Sequence, residues 1–468
     1  MRSLRLRRLV RLVPGCVLLL TACAQSLPTK TALTPAAPLV ASESSGRPRT
    51  ELGETALRER TGGQVAAYLK TLETLVGIES GSHDLDGLER LAAVIAGRLR
   101  NCGLQVELKP AKAPDFHPQL QGARLGPMVY ATRLGTGQKK VLLIAHMDTV
   151  YPRGSASRQP FRIEGDRAHG LGIADDKQGV ALILHTVELL ARDGFSDYAQ
   201  LGVLINGDEE IGSPGSGPFL TQLGGEYDAV LSFEGGGSAG PGGVDMVRLA
   251  TSSIATVTMK VTGRASHAGA APEQGRNALY ELAHQVLKSR RLGDPGKGLR
   301  INWTLASAGT VRNAIPAQAT AVADVRSLRD EDLDLMEAAL RRSIQERLIP
   351  DTRIDLDFYR GRPAFAPNAA SRALAAHAVR VYREAGLPLV IRDRAGGGGT
   401  DAAFAGLRPR GGVLEGLGLR GFGSHTSDSE FILVSDIAPR LYLAVRMVMD
   451  AGRGRIGWQQ LPQARTLP

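Results

Sequence analysis

Short polar stretches holding imidazole and carboxylate groups stand where apolar runs of this sequence end. His146-Met147-Asp148 follows the run Val141-Leu142-Leu143-Ile144-Ala145. Residues two apart in a strand share a face, so His146 and Asp148 point the same way. Gly170-Leu171-Gly172-Ile173-Ala174-Asp175-Asp176-Lys177 is a glycine-rich turn delivering acids to a predicted helix over 179–191. Asp208-Glu209-Glu210 follows the apolar run 201–205, and consecutive acids repel one another unless cations compensate them. Glu234 follows the run 229–233, and His425 stands in a short loop ahead of a C-terminal helix. Taken singly, each group has an ordinary structural use, such as a histidine closing a strand or an aspartate capping a helix. Taken together, successive predicted strand ends deliver His, Asp, Glu-Glu and Glu, and the C-terminal part adds a second His. Imidazole nitrogens and carboxylate oxygens without cysteine suit zinc in a site left open to water and substrate.

These groups need a scaffold that gathers strand ends. Helical patterns over 64–76 and 85–100 alternate with apolar runs over 128–133, 141–145, 201–205 and 229–233. That alternation predicts an α/β fold with a mostly parallel, buried central sheet, whose carboxyl edge is the usual place for a site. The rhythm changes over 256–361. Residues 256–262 alternate polar and apolar, with Val257, Met259 and Val261 on one face. A helix (277–290), strands near 300–306 and 319–326, a helix (331–347) and a strand (353–359) follow, the order of an α+β split-βαβ, ferredoxin-like unit. Helices over 370–385 and 436–451 restore the α/β rhythm. The expected organisation is a discontinuous catalytic domain (61–255 and 362–452), an inserted domain (256–361) and a C-terminal tail (453–468).

The N-terminus has the layout of an export signal: Arg2, Arg5, Arg7, Arg8 and Arg11, then an apolar stretch too short to span a bilayer. Leu20-Thr21-Ala22-Cys23 resembles a bacterial lipobox, which implies a signal over 1–22 and a lipid-anchored Cys23; the alternative is an ordinary signal with an incidental cysteine. Residues 23–60, rich in Pro, Ser, Thr and Ala, read as a flexible tether. The formal charge of +10 includes those five arginines, so the remainder is only mildly basic. No basic cluster interleaved with aromatics marks a nucleic-acid surface. With Cys16 in the signal and Cys23 lipidated, Cys102 has no partner, and no disulfide framework is expected.

The stretches AHMDTVYP, GLGIADDK, NGDEEIGSPGS, SFEGG, GRASHAGAAPE, INWTLASAGTVRNAIPA, ADVRS, RGRPAF, GGGGTDAA and GLGLRGFGSHTSDSEF occur in that order. In them the chain resembles the aminoacylase and glutamate carboxypeptidase family of dizinc exopeptidases, most closely its folate-cleaving branch, over about 64–452. The resemblance implies two Zn²⁺ ions bridged by Asp175, with His146 and Glu234 completing one set and Glu210 and His425 the other. Asp148 would orient His146 from behind. Glu209 would be the general base that takes a proton from the attacking water and returns it to the leaving amine. His267 matches a residue that stabilises the oxyanion across a dimer interface, and the inserted domain would carry that dimerisation. Asn313, Arg326 and the loop 396–400, with Gly398, Gly399 and Thr400, resemble a clamp for the substrate's C-terminal carboxylate.

Two departures stand out. Gln178 replaces a glycine common after the DDK lysine. Met246 occupies the place of a lysine found in glutamate-selective relatives, with Arg248 two residues on and able to substitute for it. The expected activity is removal of a C-terminal amino acid, glutamate foremost, from a small peptide or N-acyl amino acid. The alternatives are an aminoacylase or dipeptidase with a neutral preference, and a catalytically inactive binding lipoprotein.

Overall fold

The computed structural model describes residues 53–237, 243–426 and 428–457. The predicted signal, Cys23, most of the tether and the end of the tail lie outside them. The first part of the chain forms α1 (Glu54–Gly62), α2 (Val65–Val76), α3 (Leu85–Asn101), β1 (Gln105–Lys112), β2 (Arg124–Leu134), β3 (Lys140–His146), β4 (Arg162–Glu164), β5 (Arg167–His169), α4 (Gln178–Arg192), β6 (Gln200–Gly207), α5 (Gly217–Glu226) and β7 (Ala229–Ser232). Then come β8 (Asp245–Arg248), β9 (Ser253–Thr262), α6 (Ala278–Ser289), β10 (Arg300–Ala308), β11 (Gln318–Ser327), α7 (Asp330–Ser343) and β12 (Arg353–Arg362). The last part forms α8 (Ala369–Glu384), β13 (Leu389–Arg392), α9 (Ala402–Ala405), β14 (Gly412–Leu414), β15 (Gly421–Phe422), β16 (Phe431–Leu433) and α10 (Ile437–Gly452).

The central sheet has the order β1-β2-β6-β3-β7-β14, parallel from β6 to β14 and antiparallel at the β1 and β2 edge. Its middle strands are apolar throughout because both faces are covered. Val141, Leu143 and Ala145 pack with α2, α3, α4 and α10, whereas Leu142 and Ile144 pack on the other side with α5 and α9. The register aligns His146 with Asn206 and Ile144 with Ser232, so three strands run out at one edge. His146, Glu209 and Glu234 emerge there together.

The segment from β9 to β12 forms its own antiparallel sheet, β10-β11-β9-β12, with α6 and α7 in its cores. β9 alternates as expected, burying Val257, Met259 and Val261. It starts at Ser253, ahead of the expected boundary, and β12 runs on to Arg362. That extension carries Arg362 back to the central sheet.

Two readings of the sequence need correction. The tether does not reach residue 60: α1 occupies Glu54–Gly62 and lies on α10, with Leu57 buried and Arg58 donating to the carbonyl of Glu384. A helix anchored by one leucine and a few polar contacts has almost no apolar period to detect. Nor does Asp175 follow a strand of the central sheet. It follows β5 of a small sheet ordered β15-β16-β5-β4, whose other end carries His425. Among the described residues, no helix is long and apolar enough to cross a membrane.

Candidate metal centre and active site

Asp175 faces two histidines with its two oxygens. Its Oδ1 lies 3.1 Å from Nε2 of His146, and its Oδ2 lies 3.3 Å from Nε2 of His425. Glu234 completes the first group at 3.3 Å from His146, and Glu210 the second at 3.2 Å from His425. Asp176 also brings an oxygen within 4.8 Å of His146 and Glu234. Its Oδ1 accepts from the Gln178 amide at 2.6 Å, while its Oδ2 is buried without a hydrogen-bond partner among the described residues. Asp175 is the carboxylate that lies beside both histidines, one oxygen to each.

Local structure explains the convergence. Asp148 is wholly buried and accepts the backbone N–H groups of Glu209 and Glu210 at 3.1 Å each and the hydroxyl of Ser82 at 2.8 Å. Nδ1 of His146 sits 3.3 Å from the same carboxylate and 3.1 Å from the Asp148 carbonyl, which leaves Nε2 for the centre. One buried carboxylate thus ties the end of β3 to the acids after β6. Glu430 does the same for the Asp175 turn, accepting from the N–H groups of Gly172 (2.8 Å), Ala174 (2.9 Å) and Asp175 (3.3 Å) and from the Tyr151 hydroxyl (2.7 Å). Gln178 links this turn to two other loops, donating to the carbonyl of Phe233 at 3.3 Å and accepting from the N–H of Leu419 at 2.6 Å. His425 itself takes a left-handed backbone, φ 64°.

Crowding of acids shows in their proton affinities. Burial, reinforced by the charge of Asp175, pushes Glu234 up to about 8 and Glu210 up to about 7. Burial works against Asp175 too, but bonds to His146 and His425 hold it below the usual carboxylate range. Bonds to Asp175 and Glu210 lift His425 to about 10. Glu210 keeps a buried oxygen, Oε1, with no hydrogen-bond partner among the described residues. A set of buried carboxylates with spare lone pairs facing two imidazole nitrogens fits divalent cations of the zinc type.

Glu209 stands beside these groups without joining them. It is buried and bound by Arg362, which donates to its carboxylate and, at 2.6 Å, to its carbonyl. A cavity of about 740 Å³ opens over Asp175, Glu209, Glu210, Glu234 and His425 and continues to Arg248, Arg326, Arg392, Gly398, Gly399 and Thr400. Arg326 reaches this cavity with its guanidinium bound to Asp324 at 2.8 and 2.9 Å and donating to the Gly397 carbonyl at 3.1 Å. His267 and Asn313 do not line it. They are exposed on neighbouring loops of the second sheet, where the N–H of Ala268 donates to the Asn313 carbonyl at 2.9 Å and Nδ1 of His267 accepts from Gly269 and Ala270.

Sequence reasoning gave no role to Arg362, Arg392, Asp176 or Glu430. Arg362 lies in RGRPAF and Glu430 in GSHTSDSEF, so the motifs contained both residues without indicating what they touch.

The model of the peptidase family M20/M25/M40 matches residues 142–450. Carboxypeptidase G2 of Pseudomonas sp. (strain RS-16) is 43% identical over 389 residues, 83% of this chain and 90% of the relative. Succinyl-diaminopimelate desuccinylase of Methylobacterium radiotolerans is 28% identical over 382 residues, 76% of this chain and 90% of the relative. Among solved structures, the M20 family metallo-carboxypeptidase Sso-CP2 from Sulfolobus solfataricus shares the fold, with a TM-score of 0.66 at 16% identity, covering 82% of this chain and 99% of that one. With the family model spanning most of the chain and a relative 43% identical over most of its length, this protein belongs to the peptidase family M20/M25/M40 and is a hydrolase of peptide bonds.

Proposed function

We propose that the protein is a zinc-dependent exopeptidase that hydrolyses the amide bond to a C-terminal amino acid, glutamate foremost, in a small peptide or N-acyl amino acid. The observation that carries this reading is the sharing of Asp175 between two imidazole–carboxylate groups, with Glu209 beside them. His146, Asp175 and Glu234 would hold one zinc ion and Asp175, Glu210 and His425 the other. Such a pair supplies Lewis acidity, polarising the scissile carbonyl and acidifying water. Glu209 accepts the proton of the attacking water and delivers it to the leaving nitrogen. Asp148 keeps the His146 ring in the required tautomer, and Arg326 with the Gly398–Gly399–Thr400 loop receives the substrate's terminal carboxylate.

The glutamate preference draws on the relative named Carboxypeptidase G2 and on the arginines of the cavity. A neutral preference is the second reading, favoured by Met246 on the strand that carries Arg248. The full ligand set with its base argues against an inactive binding protein.

Residues 253–362 serve in this reading as a dimerisation and lid domain, and the protein is a homodimer. Exposed apolar side chains on α6 and β10, among them Tyr280, Leu287 and Leu305, support a partner on that face. Dimerisation would also explain why His267 and Asn313 are exposed and do not line their own chain's cavity. The arginine-rich, apolar N-terminus supports export with a lipid anchor at Cys23, and nothing in the composition calls for nucleic acid. Palmitate labelling lost in Cys23→Ala tests the anchor.

The deciding experiment is hydrolysis of a panel of N-acyl amino acids by zinc-loaded protein, with the released amino acid quantified. Release of C-terminal residues is expected. No release from any member by protein of verified zinc content refutes the reading.

A further inference from the structure

We infer that Arg248 and Arg392 form a single anion subsite that binds the side-chain carboxylate of the departing amino acid, which makes Arg392 a specificity-determining residue. The inference rests on the exopeptidase reading and names the groups that choose its substrate.

β8 and β13 are a parallel pair, and Arg392 is the register partner of Arg248. Partner residues on adjacent strands sit about 5 Å apart with side chains on the same face. Both arginines line the cavity that contains Glu209 and the metal-ligand set. Like charges side by side are unfavourable unless an anion lies between them.

The other cavity arginines have roles already: Arg362 holds Glu209, and Arg326, oriented by Asp324, is assigned to the terminal carboxylate. Among the described residues, Arg248 has only the Oε1 of Glu415 as an ionic partner, 3.7 Å away and too far for a hydrogen bond. Glu415 is wholly buried, with the hydroxyls of Ser232 and Thr400 beside its carboxyl. Burial raises its proton affinity, against the pull of the Arg248 charge. The Arg392 guanidinium has no ion pair or hydrogen bond among the described residues, which leaves two cationic forks in one cavity short of anions.

The surrounding backbone keeps both forks accessible. A Cβ on Gly237 would come within 2.8 Å of the Arg248 guanidinium, and one on Gly396 within 2.9 Å of that of Arg392. Any side chain at either glycine would displace a fork. Guanidinium groups bind carboxylate through paired N–H donors, so two flanking forks favour a side-chain carboxylate over the isosteric amide, which presents hydrogens to them.

The test compares N-acyl-L-glutamate with N-acyl-L-glutamine, which differ in charge and hardly in shape. Zinc-loaded wild type is expected to favour the glutamate substrate by roughly 100-fold in kcat/KM, and Arg392→Gln to cut that preference about 10-fold, chiefly through KM, with partial retention in Arg392→Lys. Calorimetry should show free L-glutamate binding the holoenzyme more tightly than L-glutamine, with the difference reduced in Arg392→Gln. Arg392 is exposed on a short strand, and melting curves verify that the variants fold. Equal cleavage of both substrates by wild type, or a preference untouched by Arg392→Gln, overturns the subsite and leaves the exopeptidase standing. Cleavage of neither, nor of any other C-terminal residue, overturns the exopeptidase reading and the subsite with it.

Discussion

Arg362 donates to Glu209 twice, once to its carboxylate and once to its carbonyl oxygen, and both side chains are buried. One residue ends β12 of the second sheet and the other follows β6 of the central sheet, so a charge pair joins the two sheets at the site. Arg362 also donates to the Ser213 hydroxyl, which in turn donates to Asp401, so the guanidinium compensates more than one acid.

Removing one partner of a buried pair strands the other charge. Arg362→Met is therefore expected to destabilise the protein by about 3–5 kcal/mol. Adding Glu209→Gln should restore part of the loss, because the double variant buries no unpaired carboxylate. Denaturant unfolding of the two single variants and the double variant reads this directly. Simple additivity would mean that the pair contributes nothing as a pair.

Glu209→Gln alone separates chemistry from metal binding. Its zinc content should equal that of wild type by atomic emission, while kcat falls by roughly 10²–10⁴-fold, the range of general base catalysis. A variant that keeps near wild-type turnover would remove Glu209 from the mechanism.

Glu430 tests whether the Asp175 turn is prearranged. Glu430→Ala leaves three backbone N–H groups without their acceptor, and zinc affinity measured against a competing chelator should drop about 10–100-fold. Glu430→Gln, which still accepts through its carbonyl, should lie between the two. An affinity unchanged in Glu430→Ala would show that the turn holds itself.

The pH dependence follows from raised proton affinities. Glu210 and Glu234 titrate near 7 and 8, and His425 near 10, all above their ordinary values. The folded, zinc-free protein therefore holds more protons than the unfolded chain across the neutral range. Its stabilisation from these groups is complete below the unfolded carboxylate range, near pH 4, and is lost as pH rises through the folded values. The lowered affinity of Asp175 has the opposite sign but acts only in acid. Chelator-treated protein should melt lower at pH 9 than at pH 6.5, whereas zinc binding should strengthen over the same interval and release protons. A chelated protein that melts higher at pH 9 would contradict the proton count.

Much of this arrangement was legible because strands buried on both faces leave uninterrupted apolar runs, and the polar clusters ending those runs sit at one sheet edge. His146, Glu209, Glu210 and Glu234 are cases of that rule. Short strands escaped it: β8 and β13 have four residues each, too few for a period, yet they carry Arg248 and Arg392. Long-range partners escaped it as well. Arg362 and Glu209 are 153 residues apart, and Glu430 lies 258 residues from Gly172. A charged residue at a strand end looks like any solvated one until its partner is known. His267 and Asn313 are the reverse case, conspicuous in the sequence but placed away from the cavity of their own chain.

Asp175 has one further consequence. Its carboxylate belongs to both halves of the centre, so its rotamer and charge cannot be set for one half without being set for the other. In the proposed dizinc centre the first ion would orient a ligand of the second, and by linkage whatever one ion does to its neighbour's affinity is returned by the same factor. The two loading steps should therefore be coupled, and a zinc titration should depart from the curve of two independent sites.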